Sequence, residues 1–477
     1  MTMTTSRLLH GRTRSGAPNI RVARLAIHAA VLAVTMTALS TIVAACSRSA
    51  ETTDADGPSL PGGIDGRAAF SAIEALTGPL YAGRIVGGDG SAAARAYLRA
   101  RLEAVGLAVE GLEFIERVAL NDGEAFLRAR TPGGATTVFE YRSDFREAPI
   151  NGFDGGRASG PLKRLTGSGF EPGTILLAPK EARPSEIAAG LAAAGAAGLL
   201  FELDKSSPAL RPLWPGHEPG ALVKVKHGMP ILGLSGEAFA ALAAMVATAG
   251  ADPGADAPFI ELASPVRFAD VIGANLLAVW NGDGGSFEPA YLVMAHYDHV
   301  GADPDGSYFP GALDNASGVG VALALAEAAA SYRPRVDLAF LFTDAEEGGL
   351  GGSTAFVSAP PFPLGGASVI NLDMLGSCAE TRYSVYSSGG QAGVSLSLRV
   401  ERALSSGGIP ATSEHPVDVS DHAPFASAGV AAVTVCEYDT EHYHRKDDLP
   451  EYLDTDELDA VGDALYRLIT TAAVAGP

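Results

Sequence analysis

Four strongly apolar runs, Ala290–Ala295, Val336–Phe342, Ala367–Leu372 and Val430–Val435, are each followed within two residues by histidine, aspartate or glutamate. Runs that are apolar at nearly every position read as strands buried on both faces, the pattern of a parallel sheet covered by helices. The segments between them fit, since Ser317–Ala330 and Ser395–Leu404 carry helical spacing. Strand alternating with helix predicts an α/β fold: a mixed, mostly parallel sheet flanked by helices on both faces. Open sheets of this kind bind ligands in the crevice beyond the carboxyl ends of their strands. The polar residues that end these runs are therefore the candidates for function.

Upstream, "SAAARAYLRARLEAVG" predicts a helix over Ser91–Val105 that stops at Gly106. Strand-like runs follow at Thr174–Leu177, Gly198–Phe201 and Pro230–Leu234, separated by Ala-rich helices at Ser185–Ala196 and Gly236–Ala247. They continue the alternation of helix and strand ahead of the later apolar runs. A chain of 477 residues is long enough for two domains and a targeting segment. At the N-terminus, Arg12, Arg14, Arg21 and Arg24 precede the apolar run Leu25–Ala45, which ends in Val43-Ala44-Ala45-Cys46. Basic head, apolar middle and small residues describe a secretory signal over 1–45. The last four residues resemble a bacterial lipobox, which implies lipidation at Cys46, export, and attachment to the cell envelope through lipid alone. Residues 46–65 read as a polar, Gly- and Pro-containing tether.

A net charge of −21 argues against nucleic acid as a partner, because a phosphate backbone needs a basic face. Surplus carboxylates suit divalent cations instead. The three cysteines, Cys46, Cys378 and Cys436, are too few for a thiolate cluster. "YLVMAHYDHVG" places His296 and Asp298 at one strand end, and "FPGALDNASGVG" places Asp314 just before a helix. "DAEEGG" supplies Glu346 and Glu347, "VINLDMLG" Asp373, and "EYDTEHYHRKDD" His442 and His444. Each motif alone is commonplace. Adjacent carboxylates repel, however, and burying Glu346-Glu347 without a partner is costly. Histidines and carboxylates without a thiolate form a donor set for zinc, cobalt or manganese. One carboxylate shared by two ions would set them about 3.5–4 Å apart, the geometry that splits peptide or phosphate bonds.

The ordered series "AHYDHVG", "GALDNASGVG", "DAEEGGLGGS", "VINLDMLG", "VSDHAPFASAGV" and "YHRKDD" resembles the co-catalytic zinc aminopeptidases, a family that includes glutamate carboxypeptidase and the transferrin receptor. "YAGRIVGGDGSAAARAYLRARLEAVGL" resembles the stretch that opens their catalytic domain. The likeness implies the zinc-dependent exopeptidase fold and two zinc ions, with cobalt or manganese as substitutes. His296 and Asp373 would hold one ion, Glu347 and His444 the other, and Asp314 would bridge. Glu346 would be the general base, and Asp298 would orient the His296 ring. The substrate would be a peptide or an N-terminal aminoacyl compound. Arg445-Lys446 after His444 departs from the family's usual Thr-Pro, and His442 stands as a competing ligand. The likeness also implies a cis bond between Asp314 and Asn315. Residues 140–262, with "PGTILLAPKEARPSEIAAGLAAAGAAGLLFELD", resemble a protease-associated domain, which implies a smaller α/β unit inserted between a first catalytic part at 66–139 and the catalytic core at 263–477. Carboxypeptidase or dipeptidase activity, a one-zinc glutaminyl cyclase and a non-catalytic receptor-like module are the alternatives. Spacing leaves a Cys378–Cys436 disulfide open.

Overall fold

The computed structural model describes residues 63–150, 152–167, 169–179, 181–203, 227–251, 256–282, 285–379 and 382–471. The leader and Cys46 fall outside them. Residues 61–477 make up one compact unit.

Its larger sheet has eight strands. Across it run Ala108–Asn121, Val266–Trp280, Leu338–Thr343, Tyr291–His296, Ser368–Leu372, Ala431–Cys436, Tyr383–Tyr386 and Ala411–Glu414. The strands Leu338–Thr343, Tyr291–His296, Ser368–Leu372 and Ala431–Cys436 lie parallel, as the four apolar runs predict. Antiparallel pairings join them to the flanking strands. Successive side chains of a strand face opposite ways, so each run feeds two cores. Tyr291, Val293 and Ala295, with Leu338, Phe340 and Phe342, pack into one cluster under the helices Gly66–Leu76, Gly318–Tyr332, Gly390–Ser406 and Thr455–Thr471. Leu292, Met294, Ala339 and Leu341 face the other side, against Phe356 and Phe425 of the short helices Gly351–Ser358 and His422–Ser427. Helices thus cover both faces.

The edge of this sheet is a long antiparallel ribbon. Ala108–Asn121 pairs with Val266–Trp280 from Ala108↔Val279 to Asn121↔Val266. Beyond it, a second eight-stranded sheet is built from strands between Phe126 and Ser264, with the helices Pro184–Ala193 and Gly236–Ala251. Ile64 N donates to Asp463, and Asp65 caps the helix Gly66–Leu76 through Arg67 N and Ala68 N. The end of the expected tether is therefore tied to the fold. Among the described residues, no helix is long and apolar enough to cross a membrane.

Candidate metal centre

The strand ends and the loops that follow them bring the predicted residues together. His296 is the last residue of its strand, and Asp373 directly follows Ser368–Leu372. Asp314 lies in a tight turn, Ala312–Ser317, where its bond to Asn315 is cis. Gly311 opens the turn at φ 62°, where a Cβ would collide with the Asp314 carbonyl oxygen. Asn315 ties the turn to the neighbouring strand end: its amide donates to Leu372 O, and its oxygen accepts from Met374 N and Gly318 N. Several non-glycine residues here hold left-handed backbone, namely Ala345 before Glu346, Met374 after Asp373, and His444 itself. Such outliers persist where surrounding structure enforces them, and they gather at functional sites.

Two groups of donors result. His299, Asp314, Glu347 and His444 form one, and His296, Glu346 and Asp373 the other. Asp314 faces both. Its Oδ1 lies 3.5 Å from His296 Nε2, and its Oδ2 lies 3.1 Å from His444 Nε2. His296 Nε2 is 3.4 Å from Asp373 Oδ1, and His444 Nε2 is 2.9 Å from Glu347 Oε2. Asp373 is aimed by its neighbours, since Ser420 Oγ donates to its Oδ2 at 2.6 Å and in turn accepts from Asn371. The carboxylate of Asp448 accepts from Leu313 N and Asp314 N and so fixes the shared residue.

Asp298 serves differently from a simple partner of the histidine ring. Its carboxylate stands 3.6 Å from His296 Nδ1, while its two oxygens accept from Glu346 N at 3.0 Å and Glu347 N at 3.3 Å. It therefore anchors the backbone of the acidic doublet. His442 is turned away, with Nδ1 3.0 Å from Asp439 Oδ2 and its ring stacked on Tyr452, which leaves His444 as the donor. Cys378 is exposed, Cys436 is buried, and both thiols are free.

Other residues join the site without a role read from sequence. His299 Nδ1 lies 2.9 Å from Glu347 Oε1. Asp421 accepts from Thr343 Oγ1 and Ser353 Oγ behind the doublet. Arg84, wholly buried, donates to the carbonyls of Tyr297, Pro310 and Gly311 and so pins the segments that flank His296 and Asp314. The signal was partly visible, because His299 and Asp421 stand inside "AHYDHVG" and "VSDHAPF".

The doublet is split electrostatically. Burial pushes Glu346 well above the usual carboxylate range; His296 opposes this, and Asp373, Asp421 and Glu347 add to it. Burial acts upward on Glu347 too, but His444 and His299 outweigh it and hold Glu347 well below that range. Paired carboxylates driven apart in this way have separate tasks. Glu347 is a lasting anion, whereas Glu346, half-buried and open to solvent, is able to take up a proton.

Asp314 Oδ2 and His444 Nε2 are buried and close, yet neither makes a hydrogen bond. Cations between the donors would satisfy both, and imidazoles with carboxylates are a zinc set. Burial pulls His444 downward, but Glu347 and Asp314 lift it to about 10, so its metal-free imidazole is protonated at neutral pH. That proton stabilises the metal-free fold fully below the ordinary histidine pKa of about 6.5. The contribution disappears as pH rises through about 10. Zinc must displace the proton. Calorimetry near pH 7 in buffers of different ionisation enthalpy is expected to show proton release on zinc uptake; buffer-independent heats would contradict this.

Residues 275–469 match the sequence profile of Peptidase family M28. The matched segment contains every donor of both groups. Aminopeptidase YwaD of Bacillus subtilis is 30% identical over 218 residues, which cover 43% of this chain and 45% of that protein. A probable zinc metalloprotease of Pyrenophora teres f. teres is 39% identical over 98 residues, 19% of this chain and 21% of that protein. The chain thus spans less than half the length of these curated relatives. BSAP, a zinc aminopeptidase from Bacillus subtilis, has a similar fold: TM-score 0.62 at 22% identity, covering 88% of this chain and 98% of that one. The aminopeptidase from Aneurinibacillus sp. strain AM-1 gives a TM-score of 0.56 at 20% identity, over 85% and 94%.

Proposed function

We propose that the protein is an exported aminopeptidase that uses two zinc ions and a glutamate base to hydrolyse peptide bonds. The observation that carries this reading is the division of Asp314, one carboxylate oxygen toward His296 and the other toward His444. His296 and Asp373 would hold one ion, Glu347 and His444 the second, with Asp314 shared. Bound there, zinc supplies Lewis acidity that acidifies water and polarises a carbonyl oxygen. Glu346 takes the proton of the attacking water on its carboxylate, keeps it there, and delivers it to the departing amine. Asp298, through Glu346 N and Glu347 N, keeps the base and the ligand in register. Asp373 and Glu346 are the half-buried members of the set, so the peptide enters on their side.

A panel of aminoacyl and carboxypeptidase substrates, run on zinc-reconstituted protein, tests the assignment. Cleavage from free N-termini supports it, and cleavage that requires a free C-terminus overturns it. The lobe around the second sheet is read as a protease-associated domain from its strand–helix–strand course. The Val-Ala-Ala-Cys ending supports lipidation at Cys46; a mature protein from a bacterial host whose first residue is unmodified would refute it.

A further inference from the structure

Where the second lobe meets the catalytic part, a cluster of charges has Arg142, Glu147 and Asp303 largely buried and Lys446 at the exposed rim. Arg142 lies in the turn between the strands Thr136–Phe139 and Phe145–Glu147 of the second sheet, with left-handed backbone at φ 68°. Its Nη2 is 2.7 Å and its Nε 3.1 Å from Asp303 Oδ1, and its Nη1 is 3.0 Å from Glu147 Oε2. Tyr141 Oη donates to the same Glu147 carboxylate. On the far side, Lys446 Nζ reaches Asp303 Oδ2 at 2.7 Å and Ser307 Oγ at 2.6 Å. Both cations lie over the Phe309 ring, the Arg142 guanidinium 5.7 Å and the Lys446 ammonium 5.6 Å from its centre. Two carboxylates thus match two cations, and the fork of Arg142 suits this bidentate task in a way a lysine would not.

The partners connect this cluster to the metal centre. Asp303 belongs to the loop that runs from His296 to Asp314, and Lys446 stands two residues after His444. The short segment His444–Asp448 is held at one end by Asp448, through Leu313 N and Asp314 N. At its middle, Lys446 reaches Asp303. Since His444 carries unfavourable left-handed backbone, its position depends on these external ties. We propose that Arg142 is a positioning residue for the His444 side of the metal centre, acting through Asp303 and Lys446, so that the second lobe completes a site whose ligands it does not supply.

This rests on the reading of the centre as a metal site, and the experiment separates the two. Zinc-loaded full chains carrying Arg142→Met, Lys446→Met, both changes, or Arg142→Lys are challenged with a chelator, and the retention of each ion is measured. Lys446 is partly exposed, so its variant tests the idea even if Arg142→Met fails to fold. Each single change is expected to weaken one ion about 10- to 100-fold, the usual range for partners that orient ligands. The double change should be little worse than either single one, Arg142→Lys should recover part of the loss, and cobalt-substituted Lys446→Met should show an altered visible spectrum. Unchanged ion retention with only a lower melting temperature would make the cluster a domain fastener and overturn the proposal. Wild-type protein that binds no zinc would instead remove the metal reading itself.

Discussion

Glu346→Gln protein is expected to keep its full complement of zinc and to lose about 10²- to 10⁴-fold in kcat, the usual cost of removing a general base. The amide is nearly isosteric and keeps the backbone N–H that donates to Asp298 Oδ1, so the loop has no reason to move. What disappears is the half-buried carboxylate of the centre that burial and neighbouring acids drive toward protonation. Glu347→Gln should behave differently: its oxygens face His299 and His444, and its loss should weaken one ion. Paired zinc analysis and steady-state kinetics on both variants read the difference. Loss of zinc from Glu346→Gln with turnover retained would show that the two glutamates have exchanged roles.

The second large effect is expected at Asp314. A change to Asn removes the negative charge from the residue whose two oxygens face opposite donor groups, 3.5 Å from His296 Nε2 and 3.1 Å from His444 Nε2. Both ions should weaken by about 10²-fold or more, beyond the 10- to 100-fold typical of residues that merely orient a ligand. Activity should fall with them. Asp314 is 3% exposed, and Asp448 and Asn315 hold the turn around it, so the fold should survive the change. Zinc retention measured ion by ion is the check. If Asp314→Asn lost only one ion, the carboxylate would be an ordinary terminal ligand rather than a shared one.

The central sheet was legible because strands buried on both faces need apolar residues at nearly every position. Its four parallel strands begin and end within two residues of the apolar runs. The ribbon Ala108–Asn121 with Val266–Trp280 was not legible. Glu110, Glu113 and Glu116 break its apolar pattern, and its middle, where Ile115 and Ile272 are exposed, is held by cross-strand pairing. No periodicity in a single segment reports that kind of stability.

The donors of the centre other than His299 could be read because each lies in a segment that follows the carboxyl end of a strand, and parallel strands bring such ends to one crevice. Their supports could not, because they depend on distances between remote segments. His299 meets Glu347 across 48 positions, and Asp421 meets Thr343 across 78. Asp298 is a related case: its neighbour in sequence is His296, but its closer hydrogen bonds run to Glu346 N and Glu347 N. His442 and His444 looked interchangeable in sequence, and only the stacking of His442 on Tyr452 and its contact with Asp439 separate them.

Stepwise zinc reconstitution of metal-free protein, with bound zinc and peptide hydrolysis followed together, tests the central claim most directly. Two groups of donors around a shared Asp314 predict that activity reaches its full value only as a second equivalent of zinc per chain is bound. Full activity with a single tightly bound ion would contradict the shared-carboxylate centre.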